Sequence, residues 1–143
     1  LARKAKNAEK KSVAVIGLGR FGEAVALRLV ALGHEVIGID ERAEIVQKLA
    51  DEMPHVVQAD STDTDALRAL GVNEVNYAVV AIGASLEGSV LSVLALQELG
   101  IRDIWAKAST RQHGLILTRL GVSKVVFPEA DMGRALAEQL CGA

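Results

Sequence analysis

The sequence predicts a doubly wound α/β fold, a six-stranded parallel sheet in a single domain. Three observations carry this. Short β-branched runs alternate with longer amphipathic stretches, Gly, Asp or Asn mark the joints between them, and the pattern recurs six times within 143 residues. Half of the chain is hydrophobic but only 3% is aromatic, so Val, Ile, Leu and Ala must build the core. That composition excludes disorder, which requires low hydrophobicity and excess charge. A transmembrane span is excluded as well, because the longest uncharged stretch, Val75 to Leu86, falls well short of the ~18 residues needed. The net charge of -2 argues against a general nucleic-acid binder. The single Cys141 leaves no intramolecular disulfide and suits a reducing cytoplasm.

Taken in order, the expected strands are Ser12–Ile16, Glu35–Ile39, Val56–Ala59, Tyr77–Ile82, Asp103–Ala108 and Lys124–Phe127. Each is a brief apolar run of the kind buried on both faces of a parallel sheet. The expected helices are Phe21–Leu32, Ala43–Glu52, Asp63–Leu70, Leu86–Leu99, Arg111–Leu120 and Glu129–Leu140. Val25, Leu29 and Leu32 form one apolar stripe on the first helix. Gly33, Gly100 and Gly121 follow the last apolar residues of three helices, where left-handed caps are wanted. Residues 1–11, LARKAKNAEKK, carry five Lys/Arg against one Glu and read as a basic tail or linker. The chain opens at Leu1 rather than Met, which suggests a piece of a longer protein, with 12–143 as its folded domain.

The segment VAVIGLGRFGEAV reads strand, then Gly17-x-Gly19-x-x-Gly22, then helix, a Rossmann-like arrangement. Gly17 permits the tight turn, Gly19 lets a pyrophosphate approach the backbone, and Gly22 lets helix and strand pack closely. Helix N–H groups and the helix dipole then hold the anion. Glycines alone are weak evidence, but an acid, Asp40, ends the second strand 23 residues after Gly17, where it can accept from both ribose hydroxyls. Asp40 also suits an N-cap for the following helix. Its carboxylate would repel the 2′-phosphate of NADP, and nearby Arg42 reads as a solvent-exposed helix residue.

Catalytic groups are not evident. His34 and His55 fall at the end of the sheet away from the crevice, and His113 lies in a helix. Tyr77 has Ala81 four residues on, so no Tyr-x-x-x-Lys pair exists. A nucleotide-binding domain without such groups is best read as a sensor rather than an enzyme. The alternatives are the cofactor half of an NAD-dependent oxidoreductase and an oligomerisation domain with a vestigial loop.

VAVIGLGRFGEAVA, HEVIGID, QADSTD, YAVVAIGA, IWAKA and VVFPEADMG, in this order, resemble the nucleotide-binding N-terminal domain of bacterial potassium-transport regulators. That family is known as RCK, KTN or TrkA-N, and GRFG with PE-x-DMG looks closest to Ktr-type regulatory subunits. The resemblance spans Lys11 to about Leu140 and implies a C-terminal RCK domain that this chain lacks.

It further implies a cytoplasmic homo-oligomer, dimers building a ring of eight in the full-length protein, on the inner face of a membrane-embedded potassium transporter or channel subunit. Such rings bind ATP, ADP, NAD or NADH and convert the bound species into pore opening or closing. On the resemblance, the nucleotide site comprises Gly17, Leu18, Gly19, Arg20, Phe21, Gly22, Asp40 and Glu41. Asp60, Ser61 and Thr62 lie beside the adenine, Ser61 and Thr62 serving equally well as caps for the next helix.

Ile82, Gly83 and Ala84 leave ligand space at the switch point. Arg20 is expected to reach the terminal phosphates, a solvent-exposed role being its alternative. Lys107, interrupting an apolar strand end, is expected to meet a phosphate or carboxylate. Glu129 is implied to help hold a divalent cation near the phosphates, or else is a helix-start acid favoured by the dipole. Met132, Leu136 and Leu140 form a stripe suited to a dimer surface or to docking on the domain's own sheet.

Overall fold

Residues 9–142 are described by the structure, a computed structural model. The basic segment predicted over 1–11 therefore lies largely outside the described residues. Lys11 belongs to the folded domain rather than the tail. Its N–H donates to Nδ1 of His34 (3.0 Å) and its carbonyl accepts from Glu35 N–H (2.9 Å).

Six parallel strands alternate with helices. They are β1 (Ser12–Ile16), α1 (Arg20–Ala31), β2 (Glu35–Asp40), α2 (Ala43–Leu49), β3 (Val56–Gln58), α3 (Thr64–Ala69), β4 (Tyr77–Val80), α4 (Leu86–Glu98), β5 (Ile104–Lys107), α5 (Arg111–Arg119), β6 (Lys124–Val126) and α6 (Pro128–Cys141). A short 3-10 turn at Val72–Glu74, which apolar periodicity does not reveal, follows Gly71. The sheet order β3-β2-β1-β4-β5-β6 reverses direction between β1 and β4. That reversal opens a crevice at the carboxyl ends of the central strands.

Strand alternation sorts the core into two layers. Ala14, Ile16, Ile39, Ala78, Val80, Ile104 and Ala106 face one side, under Leu67, Val93, Leu96 and Leu117 of α3, α4 and α5. Val13, Val15 and Val36 face the other, with Ala26 of α1, Leu49 of α2 and the loop residues Leu18 and Met53. Small strand residues such as Ala14, Ala78 and Ala106 let the helices close down on the sheet.

Three expectations need correction. The strands are not all covered on both faces: Trp105 of β5 is 42% exposed, its ring 5.9 Å from the Lys124 ammonium. On α1 the fully buried positions are Gly22 and Ala26, while Leu32 lies beyond the helix end and is exposed. The helix sits so close to the sheet that only small residues fit its central line. Finally, α6 has no buried residue, so Met132, Leu136 and Leu140 do not dock on their own sheet.

One buried polar link ties α5 to α4. Ser109 N–H donates to Nδ1 of His113 (3.1 Å), so the ring proton sits on Nε2 and is donated to the Ser89 hydroxyl (2.8 Å). Burial depresses the His113 pKa below its ordinary 6.5. The unfolded chain then takes up the proton first as pH falls, so the link stabilises fully above 6.5 and weakens as pH drops from there through the lower folded value. Urea unfolding across pH 7.5 to about 5 is expected to show this loss, and His113→Gln is expected to flatten it.

Candidate functional site

The site begins where β1 ends. Gly17 turns at φ +92°, a left-handed value, and donates its N–H to the Ile39 carbonyl (2.8 Å). Gly22, the first full turn of α1, has no room for a side chain, because a Cβ there would collide with the Gly17 carbonyl oxygen. This close approach aims the helix N-terminus across the strand ends. Gly19 is the N-cap of α1, with no side chain capping the exposed N–H groups, and a Cβ built on it would meet nothing within 4 Å. An uncapped helix start facing open space is the geometry that receives a phosphate.

A cleft of about 790 Å³ lies in front of it. Of the residues singled out from sequence, Gly17, Gly19, Arg20, Phe21, Asp40, Glu41, Asp60, Ser61, Thr62, Ile82, Gly83, Ala84, Lys107 and Glu129 all line this one cavity. Two do not. Leu18 is buried against the Gly38 position in the core, and Gly22 lies beneath the helix, so both shape the loop from behind. The loop contributes through backbone geometry, while the leucine side chain is apolar filling for the second core layer.

Asp40 is held more tightly than its sequence position implies. Its Oδ2 accepts from Leu18 N–H (2.8 Å) and Arg42 Nη2 (2.9 Å), and its Oδ1 accepts from Arg42 N–H (2.9 Å) and Nε (2.9 Å). Arg42 is thus no idle surface residue; it is the N-cap position of α2 and the acid's fork-shaped partner. Asp40 does not cap that helix. Burial pushes its carboxyl pKa upward, but the Arg42 side chain, the Leu18 and Arg42 N–H groups and the guanidinium charge outweigh it and hold the pKa below the ordinary 3.8. The Asp40-x-Arg42 spacing was the available signal for this pair.

Asp60 accepts from Thr62 N–H (2.9 Å) and Oγ1 (2.7 Å), which lowers its pKa below 3.8. The cap of α3 is Asp63, accepting from Asp65 and Ala66 N–H groups, and not Ser61 or Thr62. Ser61 instead shares a 2.7 Å hydrogen bond with buried Ser92. Across the cleft, the Lys107 ammonium stands over Gly83, 2.9 Å from where a Cβ would sit, and 5.8 Å from the Phe21 ring. Ser109 fixes this corner by donating to the Gly83 carbonyl (3.0 Å). Among the described residues neither Arg20 nor Lys107 forms an ion pair with a carboxylate. Those residues also contain no group of three or more metal-ligating side chains, and Glu129 lines the cleft without such companions.

Ser85, Glu87, Gly88, Leu91 and Ser109 also line the cleft and were not anticipated. Only Ser85 carries a sequence signal, as the cap of α4 that accepts from Gly88 N–H (2.9 Å). Asp40→Asn is expected to cost about 1–3 kcal/mol in urea unfolding at neutral pH, the range for a buried, charge-assisted network left incomplete. The Asp40 contribution is present above pH 3.8 and is lost as pH falls through the lower folded value, so the difference between the two proteins is expected to close in acid.

The chain is 40% identical, over 92% of its length, to Ktr system potassium uptake protein A of Bacillus subtilis, and spans about 60% of that relative's length. It shares 28% identity and a TM-score of 0.74 with the Shewanella denitrificans Kef C-terminal domain solved in an AMP-bound form, covering 92% of this chain and 82% of that one. The TrkA-N domain of the inner membrane protein YbaL from Escherichia coli superposes with a TM-score of 0.80 at 17% identity, covering 92% and 98% of the two chains, a likeness of fold alone. A family model described as the TrkA-N domain matches residues 13–128, from the second residue of β1 to the first of α6. With the glycine turn, the strand-end acid and the sheet order all in place, this chain belongs to the TrkA-N domain family.

Proposed function

We propose that this domain is a nucleotide-responsive regulatory module of a potassium-translocating membrane assembly, acting on the cytoplasmic side and carrying no catalysis of its own. The observation that carries the reading is the uncapped N-terminus of α1 behind the open space at Gly19, with Arg20 as the first helical residue. A cation is unfavourable at a helix N-terminus unless an anion compensates it. Arg20 and Lys107 both line the same cleft. The relationship to a potassium uptake protein and to an AMP-bound domain supports an adenine nucleotide, ATP, ADP or NAD(H), as that anion.

In this reading the glycine loop and α1 hold the phosphates common to all these nucleotides. Asp60 offers an acceptor to the adenine amine, and Arg20 meets the phosphates that differ between them. Glu129 helps balance a divalent cation held chiefly by those phosphates. None of the three histidines, His34, His55 and His113, lines the cleft, which supports a regulatory role. The exposed stripe Met132, Leu136 and Leu140 on α6 supports assembly into dimers and a ring.

A ligand shifts a two-state assembly only through contacts that differ between the states. Calorimetry is expected to show wild-type discrimination between ATP and ADP of roughly ten- to a hundredfold, the range of one charge-assisted contact. Arg20→Ala is expected to erase that difference while retaining most affinity for the shared adenosine portion; unchanged discrimination would remove Arg20 as the reader. Gly19→Val adds its side chain in empty space, so the fold is expected to survive by circular dichroism while nucleotide binding disappears. Retained binding in that variant would defeat the phosphate-loop reading.

A further inference from the structure

A hydrogen-bond chain that starts in the core holds the cleft wall at the ends of β4 and β5. The loops after these two strands meet where the Ser109 hydroxyl donates to the Gly83 carbonyl (3.0 Å), and both residues line the cleft. Lys107 rests on the same spot, its Nζ 2.9 Å and its Cε 3.0 Å from where a Gly83 Cβ would sit. Ser109 is oriented in turn by His113, whose Nδ1 accepts the Ser109 N–H (3.1 Å). That N–H lies just past the bond from Ala108 N–H to the Val126 carbonyl (2.8 Å), so an imidazole lone pair stands in for the next backbone acceptor. From its other edge the ring donates to the Ser89 hydroxyl of α4 (2.8 Å). His113 is only 3% exposed and does not itself line the cleft.

We propose that His113 is a positioning residue for the nucleotide site: its neutral ring keeps Ser109, Gly83 and Lys107 in the arrangement that accepts the ligand, and a proton on Nδ1 releases them. This deepens the nucleotide reading above and rests on it. An imidazolium has two donors and no acceptor, so the Ser109 N–H would then face another N–H. The Ser109 backbone relieves that repulsion by turning, and its hydroxyl bond to Gly83 turns with it. The charged groups on the elements around the ring are Glu87 and Glu98 on α4, Arg111 and Arg119 on α5, Lys107 on β5 and Lys124 on β6. All but half-buried Lys107 are exposed, and none is a hydrogen-bond partner of the ring. Burial is what lowers its pKa, so the neutral form is the resting one. Coupling between two binding events is reciprocal: a ligand that requires the neutral ring must also make the ring harder to protonate.

The test measures ADP affinity by calorimetry from pH 7.5 to about 5, on the wild-type chain and on His113→Asn, whose amide keeps an acceptor near the Nδ1 position but takes up no proton. The ADP phosphates and every other titrating group are common to both proteins and drop out of the ratio of the two affinities. That ratio is expected to turn against the wild type by about fivefold towards low pH, the worth of one hydrogen bond. A role for His113 in folding alone leaves it unmoved, once circular dichroism shows both proteins folded at each pH. A second readout needs no variant and decides alone if His113→Asn does not fold. Saturating ADP is expected to lower the midpoint of the His113 ring titration, followed by NMR, by the logarithm of the same factor. A ratio constant within twofold overturns the proposal, as does a ring midpoint that ADP leaves in place. Either result with ADP bound overturns this proposal alone; absence of binding by ADP, ATP and NAD alike overturns the nucleotide reading with it.

Discussion

The close approach between Gly22 of α1 and the carbonyl of Gly17 is the constraint on which the site depends. With no side chain between them, the helix starts directly over the end of β1 and its uncapped N–H groups face the crevice. A methyl group at that contact would have to displace backbone rather than a mobile side chain, so the geometry cannot yield cheaply. Everything downstream inherits this placement. Ala26 can bury fully one turn later, and Leu18 turns inward to close the second core layer.

A second constraint, electrostatic, is layered on the first. Leu18 N–H and the Arg42 fork fix Asp40 from both sides, coupling the glycine loop to the start of α2 through one buried carboxylate. Opposite, Lys107 reaches in from the end of β5 beside Phe21. The cleft therefore has a compensated acid at the end of β2 and two cations, Arg20 and Lys107, without ion-pair partners among the described residues.

Particular elements show why some of this was legible in the amino-acid order. The left-handed glycines after α1, α4 and α5 were readable because cap chemistry is local; Gly33, Gly100 and Gly121 sit at φ +93°, +89° and +88°. The β1–α1 loop was readable because three glycines at fixed spacing answer three backbone requirements within six residues. Exposure of Trp105 was not, since an apolar strand reads the same whether or not a helix happens to cover its second face. The cap of α3 was misplaced by one or two residues because Ser61, Thr62 and Asp63 all have suitable side chains. Which one bonds the helix is settled by Ser92 engaging Ser61 and Asp60 engaging Thr62.

Fold class, the order of the elements and the cluster of positions that meet at the strand ends follow from residue order alone. Hydrophobic period, turn residues and glycine spacing are short-range properties, and topology rules leave few ways to join six such units. How the charged groups are partnered emerges only once the chain is folded. Whether Asp40 meets a ligand or Arg42, whether Lys107 meets a carboxylate or stands over Gly83, and whether the α6 stripe finds the sheet are questions of distance between separately positioned elements. Hydrogen-bond and Coulomb energies change steeply with such distances, while residue order reports only which groups are available.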